Sequence, residues 1–117
     1  MNNNMINYPK IDELPNDIFL KITDNDKETI EKTKITKAAI MLRNNTVTGR
    51  YHCDIRYVIR EVGLQKDYED DFYEDGFIIK YEDKEYFLDR EDATKVAKVL
   101  GIIPKNSCAP LNSENLH

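Results

Sequence analysis

Apolar and polar positions alternate along the chain in two blocks of the same order. Ile35 to Leu42 is a β-branched, apolar run, Arg43-Asn44-Asn45 supplies residues that tolerate left-handed geometry, and Thr46 to Arg50 returns as a second strand. Ile55, Val58, Ile59 and Val62 then fall three, four and seven apart from the first, one face of a helix, and Gly63 stands where a C-cap belongs. The same order is then repeated. Phe77 to Tyr81 reads as a strand, Glu82-Asp83-Lys84 as a turn, and Glu85 to Leu88 as the returning strand. Asp89 predicts an N-cap with Asp92 three residues on, Ala93, Val96, Ala97 and Leu100 form the buried helix face, and Gly101 followed by Pro104 ends it.

The blocks align without a gap at an offset of 38, Ala38–Gly63 on Gly76–Gly101, with four identities in 26 positions. Ile40 falls on Ile78, Asp54 on Asp92, Val58 on Val96 and Gly63 on Gly101. The expected fold class is α+β, a duplicated ββα unit with helices packed on one face of an antiparallel sheet. Two hairpin-helix units without common origin would predict the same architecture. Before the repeat, Asp17 to Ile22 is a short apolar element of open type, and Asp24 to Lys34 reads as a short charged helix. The expected organisation is a single domain over 1–117: a flexible polar arm at 1–12, the core at 34–101, and a polar tail at 102–117 in which Leu111 and Leu116 could dock. Leu64 to Asp75 is expected to be a solvated linker with an aromatic anchor.

Charge adds a second pattern. The net charge of −5 argues against a DNA or RNA polymer as partner. The charge is uneven: residues 34–66 carry seven bases against two acids, and residues 67–92 carry twelve acids against three bases. That is either an ordinary polar surface or a basic face able to meet a small anion. No apolar run reaches the roughly 18 residues of a membrane span, and the start lacks a signal-peptide layout, so a cytoplasmic protein with no membrane partner is expected. Cys53 and Cys108 are expected to be reduced thiols, and no CxxC or HxxxH spacing suggests a metal.

Candidate chemistry narrows accordingly. The sequence has no GxSxG, GxGxxG or GxxxxGK[ST] motif, and the adjacent His52 and Cys53 diverge on any regular element. No catalytic residue, metal or cofactor is therefore expected. The anion reading has more to work with. Thr48-Gly49-Arg50-Tyr51-His52 leads into the first helix, whose N-cap position holds Tyr51, a poor cap. Free amides there, flanked by Arg50 and His52 and with Arg56 about a turn on, suit phosphate. Alternatively, Arg50 pairs with a linker acid and water completes the cap. Phe77 is either core or a ring that stacks on a purine, Asp89 an N-cap or an acceptor for ribose hydroxyls, and Arg90 faces whatever the second helix's N-terminus faces.

Taken in order, Ala38-Ala39-Ile40, Thr48-Gly49-Arg50-Tyr51-His52-Cys53-Asp54-Ile55, Gly76-Phe77, Phe87-Leu88-Asp89-Arg90-Glu91-Asp92-Ala93 and Leu111-Asn112-Ser113-Glu114-Asn115-Leu116 resemble one family of small phage proteins. It is the family of Thoeris anti-defence proteins of the first type, and the resemblance spans residues 34–117. It implies a non-enzymatic sponge that binds cyclic ADP-ribose isomers made by TIR-domain defence enzymes, such as glycocyclic ADP-ribose, and sequesters them uncleaved. It further implies a homo-oligomer, dimers assembling into a hexamer, with ligand at subunit interfaces, and in some members cyclic di- or trinucleotides in separate sites. By position, Phe77 matches the ring that stacks on adenine, and Arg50 and His52 match the family's GRxH segment. Asp89 stands where the family often has Asn, just before Arg90; Tyr51 replaces a usual basic or aromatic residue; and Asn112, Asn115 and His117 replace Tyr, Asp and Trp. Arg56 is added on helix geometry alone. The alternative expectation is an acidic protein inhibitor acting directly on a host defence enzyme, carried by the acids of 67–92.

Overall fold

A computed structural model describes residues 9–43, 45–64 and 73–117. Elements follow in the order α1 (Asn16–Thr23), α2 (Lys27–Glu31), β1 (Thr33–Leu42), β2 (Thr46–Gly49), α3 (His52–Glu61), β3 (Tyr73–Tyr81), β4 (Lys84–Asp89), α4 (Arg90–Leu100) and a 3-10 turn (Ser113–Leu116). The four strands form one antiparallel sheet in the order β2-β1-β3-β4. This is the α+β architecture of two ββα units, joined along their first strands.

Each strand's alternation sorts its residues between two layers. Ala38, Ile40 and Leu42 of β1, Val47 of β2, Phe77 and Ile79 of β3 and Leu88 of β4 face the helices, where they bury against Ile22, Ile55, Ile59, Ala93, Val96 and Ala97. Ala39, Ile78 and Phe87 face the other way, and Ile11 packs over them. Residues 9–13 run along this second face: Pro9 bridges to Asn45, Glu13 bridges to Phe87, and the Asp12 carbonyl accepts from the Phe87 amide at 3.2 Å. The remainder of the expected arm, 1–8, and most of the acidic linker, 65–72, lie outside the described residues.

The repeat differs from the gapless alignment by one residue. Ile40 sits in the helix-side core, whereas Ile78 sits on the opposite face. The hairpins superpose at an offset of 39: Ala38↔Gly49 falls on Phe77↔Leu88, and Ile40↔Val47 on Ile79↔Tyr86. The helices keep 38, from His52 to Arg90. A one-residue slip moves every side chain of a strand to the other face, so burial fixes the strand register regardless of local identities. The first unit therefore has one more residue between strand and helix, in the Arg50-Tyr51 step.

Three further boundaries move. β3 begins at Tyr73, so Tyr73, Glu74 and Asp75 are strand rather than linker. The apolar element of open type is a helix, α1, with Ile22 fully buried. The charged helix is confined to Lys27–Glu31, with Asp26 as its cap, and Thr33 and Lys34 already belong to β1. Glycine is required at Gly76, where an added Cβ would meet the Leu88 carbonyl oxygen and lie 2.5 Å from Phe87 Cζ.

Candidate functional site

The two units bring the first residues of their helices together. Tyr51 caps α3 with extended backbone and no side-chain bond, whereas Asp89 caps α4 by accepting from the Asp92 amide at 2.8 Å. α3 borrows its cap instead: the His52 amide donates to Ser113 Oγ, 61 residues away in sequence, at 3.2 Å. Ser113 opens the 3-10 turn, which has a capping box of its own between Asn112 and Asn115. Leu111, fully buried, anchors this segment, and its amide donates to Thr94 Oγ1 of α4 at 2.9 Å. The tail thus ties the start of α3 to the body of α4, a larger part than two docking leucines.

Between these pieces lies a cleft of about 570 Å³, within the range of small-molecule sites. Tyr51, His52, Cys53 and Arg56 line one side, Arg90 another, and Asn112, Ser113 and Glu114 the third. His52 is buried; its Nε2 lies 2.8 Å from the Gly76 carbonyl and its Nδ1 3.3 Å from an Arg90 Nη. Arg56 meets Asp75 at 3.1 Å, and Arg90 meets the same carboxylate oxygen at 3.9 Å. Among the described residues, the other oxygen of Asp75 and Nε of Arg90 are buried without a hydrogen-bond partner. Burial holds the His52 pKa below its ordinary value; the Gly76 carbonyl opposes this, and the Arg90 charge adds to it.

Of the six residues singled out in the sequence, the cleft gathers His52, Arg56 and Arg90. Phe77 lies beneath them, fully buried, its ring edge-on to His52 at 5.1 Å and under the Arg90 guanidinium at 5.9 Å. In this arrangement the ring is core and supports the cleft from below; it presents no open face on which a purine could stack. Asp89 acts as the N-cap and points to the opposite face of the sheet, since it pairs directly with Gly76 across the ladder. There it shares a second, smaller depression with Glu13, Glu74 and Asp92. Burial and the neighbouring carboxylates raise the pKa of Glu74 and of Asp92 above the usual carboxylate values. Arg50 is exposed and does not line the cleft: its guanidinium stands 5.5 Å over the Tyr51 ring, and its carbonyl accepts from His117 Nε2 at 3.2 Å.

Sequence reasoning missed Asp75, concealed in what read as linker, and the wall made by Asn112, Ser113 and Glu114. The Asn-Ser-Glu-Asn run did carry a signal, a cap residue opening a short helical turn. Cys53 and Cys108 are free and exposed. Among the described residues no group of His, Cys, Asp or Glu is arranged to hold a metal ion, and no helix is long and apolar enough to cross a membrane. Compared with family profiles, with curated proteins and with solved structures, the chain finds no match in any of the three.

Proposed function

We propose that the protein binds a cyclic ADP-ribose-type signalling nucleotide in this cleft and sequesters it uncleaved, acting as a phage anti-defence protein in the host cytoplasm. The observation that carries the reading is the convergence of two guanidiniums, Arg56 and Arg90, from two different helices on one cleft floored by a buried histidine. A pyrophosphate diester carries two negative charges, and arginine is suited to such groups by its fixed fork of donors. The resemblance stated above gives the ligand its identity. The cleft is open on one side, and a second copy of the chain, as the resemblance implies, would close it over the nucleotide. Sequestration needs charge, shape and exclusion of water and moves no atoms.

Calorimetric titration with glycocyclic ADP-ribose, followed by heat denaturation and chromatography of the released ligand, tests this. Tight binding with the ligand recovered intact is expected. Altered ligand would make the protein an enzyme, and no binding to the folded protein would end the reading.

A second reading, the acidic inhibitor of a host enzyme, draws on the crowding of Glu13, Glu74, Asp89 and Asp92. Charge reversal at Glu13 and Asp92 would abolish that activity and leave nucleotide capture unchanged.

A further inference from the structure

The contacts of His52 admit one protonation state. A carbonyl oxygen only accepts, so Nε2 at 2.8 Å from the Gly76 oxygen must carry a hydrogen and donate it. A guanidinium only donates, so Nδ1 at 3.3 Å from the Arg90 Nη must keep its lone pair and accept. Only the neutral ring protonated on Nε2 meets both demands. A second proton on Nδ1 would set N–H against N–H and add a positive charge beside Arg90.

We propose that His52 is a positioning residue that fixes the Arg90 guanidinium at the edge of the cleft through its Nδ1 lone pair, so that acidification weakens anion binding. This rests on the reading that the cleft takes a phosphate-bearing ligand. It also reverses the ordinary expectation, since a histidine that touches phosphate directly binds it better when protonated. The surroundings of the ring favour the neutral state. Arg90 of α4 and Arg56 of α3 repel a proton, Asp75 of β3 attracts one, and burial outweighs that attraction. From the 3-10 turn, the Ser113 hydroxyl engages the His52 backbone amide, and Glu114 stands across the cleft. The buried Phe77 ring packs edge-on against His52.

Two consequences follow for pH. Because the native ring resists protonation, the unfolded chain takes up a proton first, so this contribution to stability is complete at neutral pH and declines as pH falls below the ordinary histidine value. Arg90 is released lower, as pH falls through the titration of the native His52 ring itself. The charge of a pyrophosphate diester does not change there, so any loss of affinity arises in the protein.

The first arm of the test needs no ligand. Imidazole nitrogen spectra at pH 7.5 should give His52 a protonated Nε2 and an unprotonated Nδ1, and the Arg90 side-chain N–H signals should be lost as His52 titrates while the backbone spectrum stays folded. The opposite tautomer, or Arg90 signals indifferent to that titration, would overturn the proposal. In the second arm, affinity for glycocyclic ADP-ribose should fall as pH is lowered through the His52 titration located in the first arm, by about tenfold once the ring is protonated, the worth of one lost charge-assisted contact. His52→Gln, whose amide can both donate to Gly76 and accept from Arg90 without titrating, should bind with a flat profile. Affinity that rises on acidification in the wild type, or a His52→Gln profile that still falls, would also overturn it. Failure to bind the nucleotide at any pH would reject the functional reading alone, and the spectra would still decide the role of His52.

Discussion

The two ββα units share a hairpin register and differ in how each one starts its helix. In the second, β4 runs directly into α4; Asp89 ends the strand, caps the helix and places Arg90 at the first helical position. In the first, two residues intervene between Gly49 and His52, Tyr51 supplies no cap, and Ser113 comes from the tail to take the His52 amide. One unit is complete in itself and the other is completed from elsewhere in the chain. The cleft forms where the incomplete unit is repaired. Its walls are α3, α4 and the segment that does the repair, so stability of the first unit and shape of the site are coupled there.

The sharpest way to break this asymmetry is to unseat the tail. Leu111→Ala removes a fully buried anchor and should cost about 3 kcal/mol, as core truncations of this kind do. Native-state hydrogen exchange should report early opening at the start of α3, larger than any change in α4. Equal loss in both helices would mean that the tail supports the domain as a whole.

Ser113→Ala is the finer cut. Losing a cap costs about 1 kcal/mol, read as a midpoint shift in urea, and exchange should quicken at His52 alone. The proposed nucleotide binding should weaken with it, because Ser113 and His52 are bonded to each other and line the same cleft.

The smallest effect is expected at the self-sufficient unit. Asp89→Asn keeps a competent cap and removes one of the carboxylates crowding Glu74 and Asp92. Stability at neutral pH should change by less than about 0.5 kcal/mol, while the titrations of Glu74 and Asp92, followed by carboxyl carbon shifts, should move down toward ordinary values. The direction has a corollary. Acids whose native pKa is raised favour the fold below their unfolded pKa and lose that contribution as pH climbs through the raised value, so this patch opposes acid unfolding.

What could be read from the sequence followed the strength of the local pattern. The helix faces of Ile55, Val58 and Ile59 and of Ala93, Val96 and Ala97 were plain because one side of each helix is wet. The strand repeat was misaligned by one residue because β3 is buried on both faces. Phe77, Ile78 and Ile79 form a continuous apolar run in which the two-residue alternation that marks a face is absent. Arg56 and Arg90 could be placed from helix geometry, since Arg90 opens its helix and Arg56 lies about a turn into its own. Asp75 could not, because five of the eight residues before it are also acidic and only strand pairing with Ile40 distinguishes it. The tail's part was obscured by its polarity: a cap acts through hydrogen bonds, and hydropathy does not register them.

The reach of the Ser113 contact has a consequence for synthesis. Hairpins and helices of each unit join residues close in sequence and can form as the chain emerges, but the partner of the His52 amide is made 61 residues later. At translation rates of about 5–20 residues per second, α3 exists for several seconds with its first turn unsecured. During that interval the first hairpin can already be in place. The cleft therefore cannot be completed before the tail is made, and a nascent chain that lacks the tail lacks one of its walls.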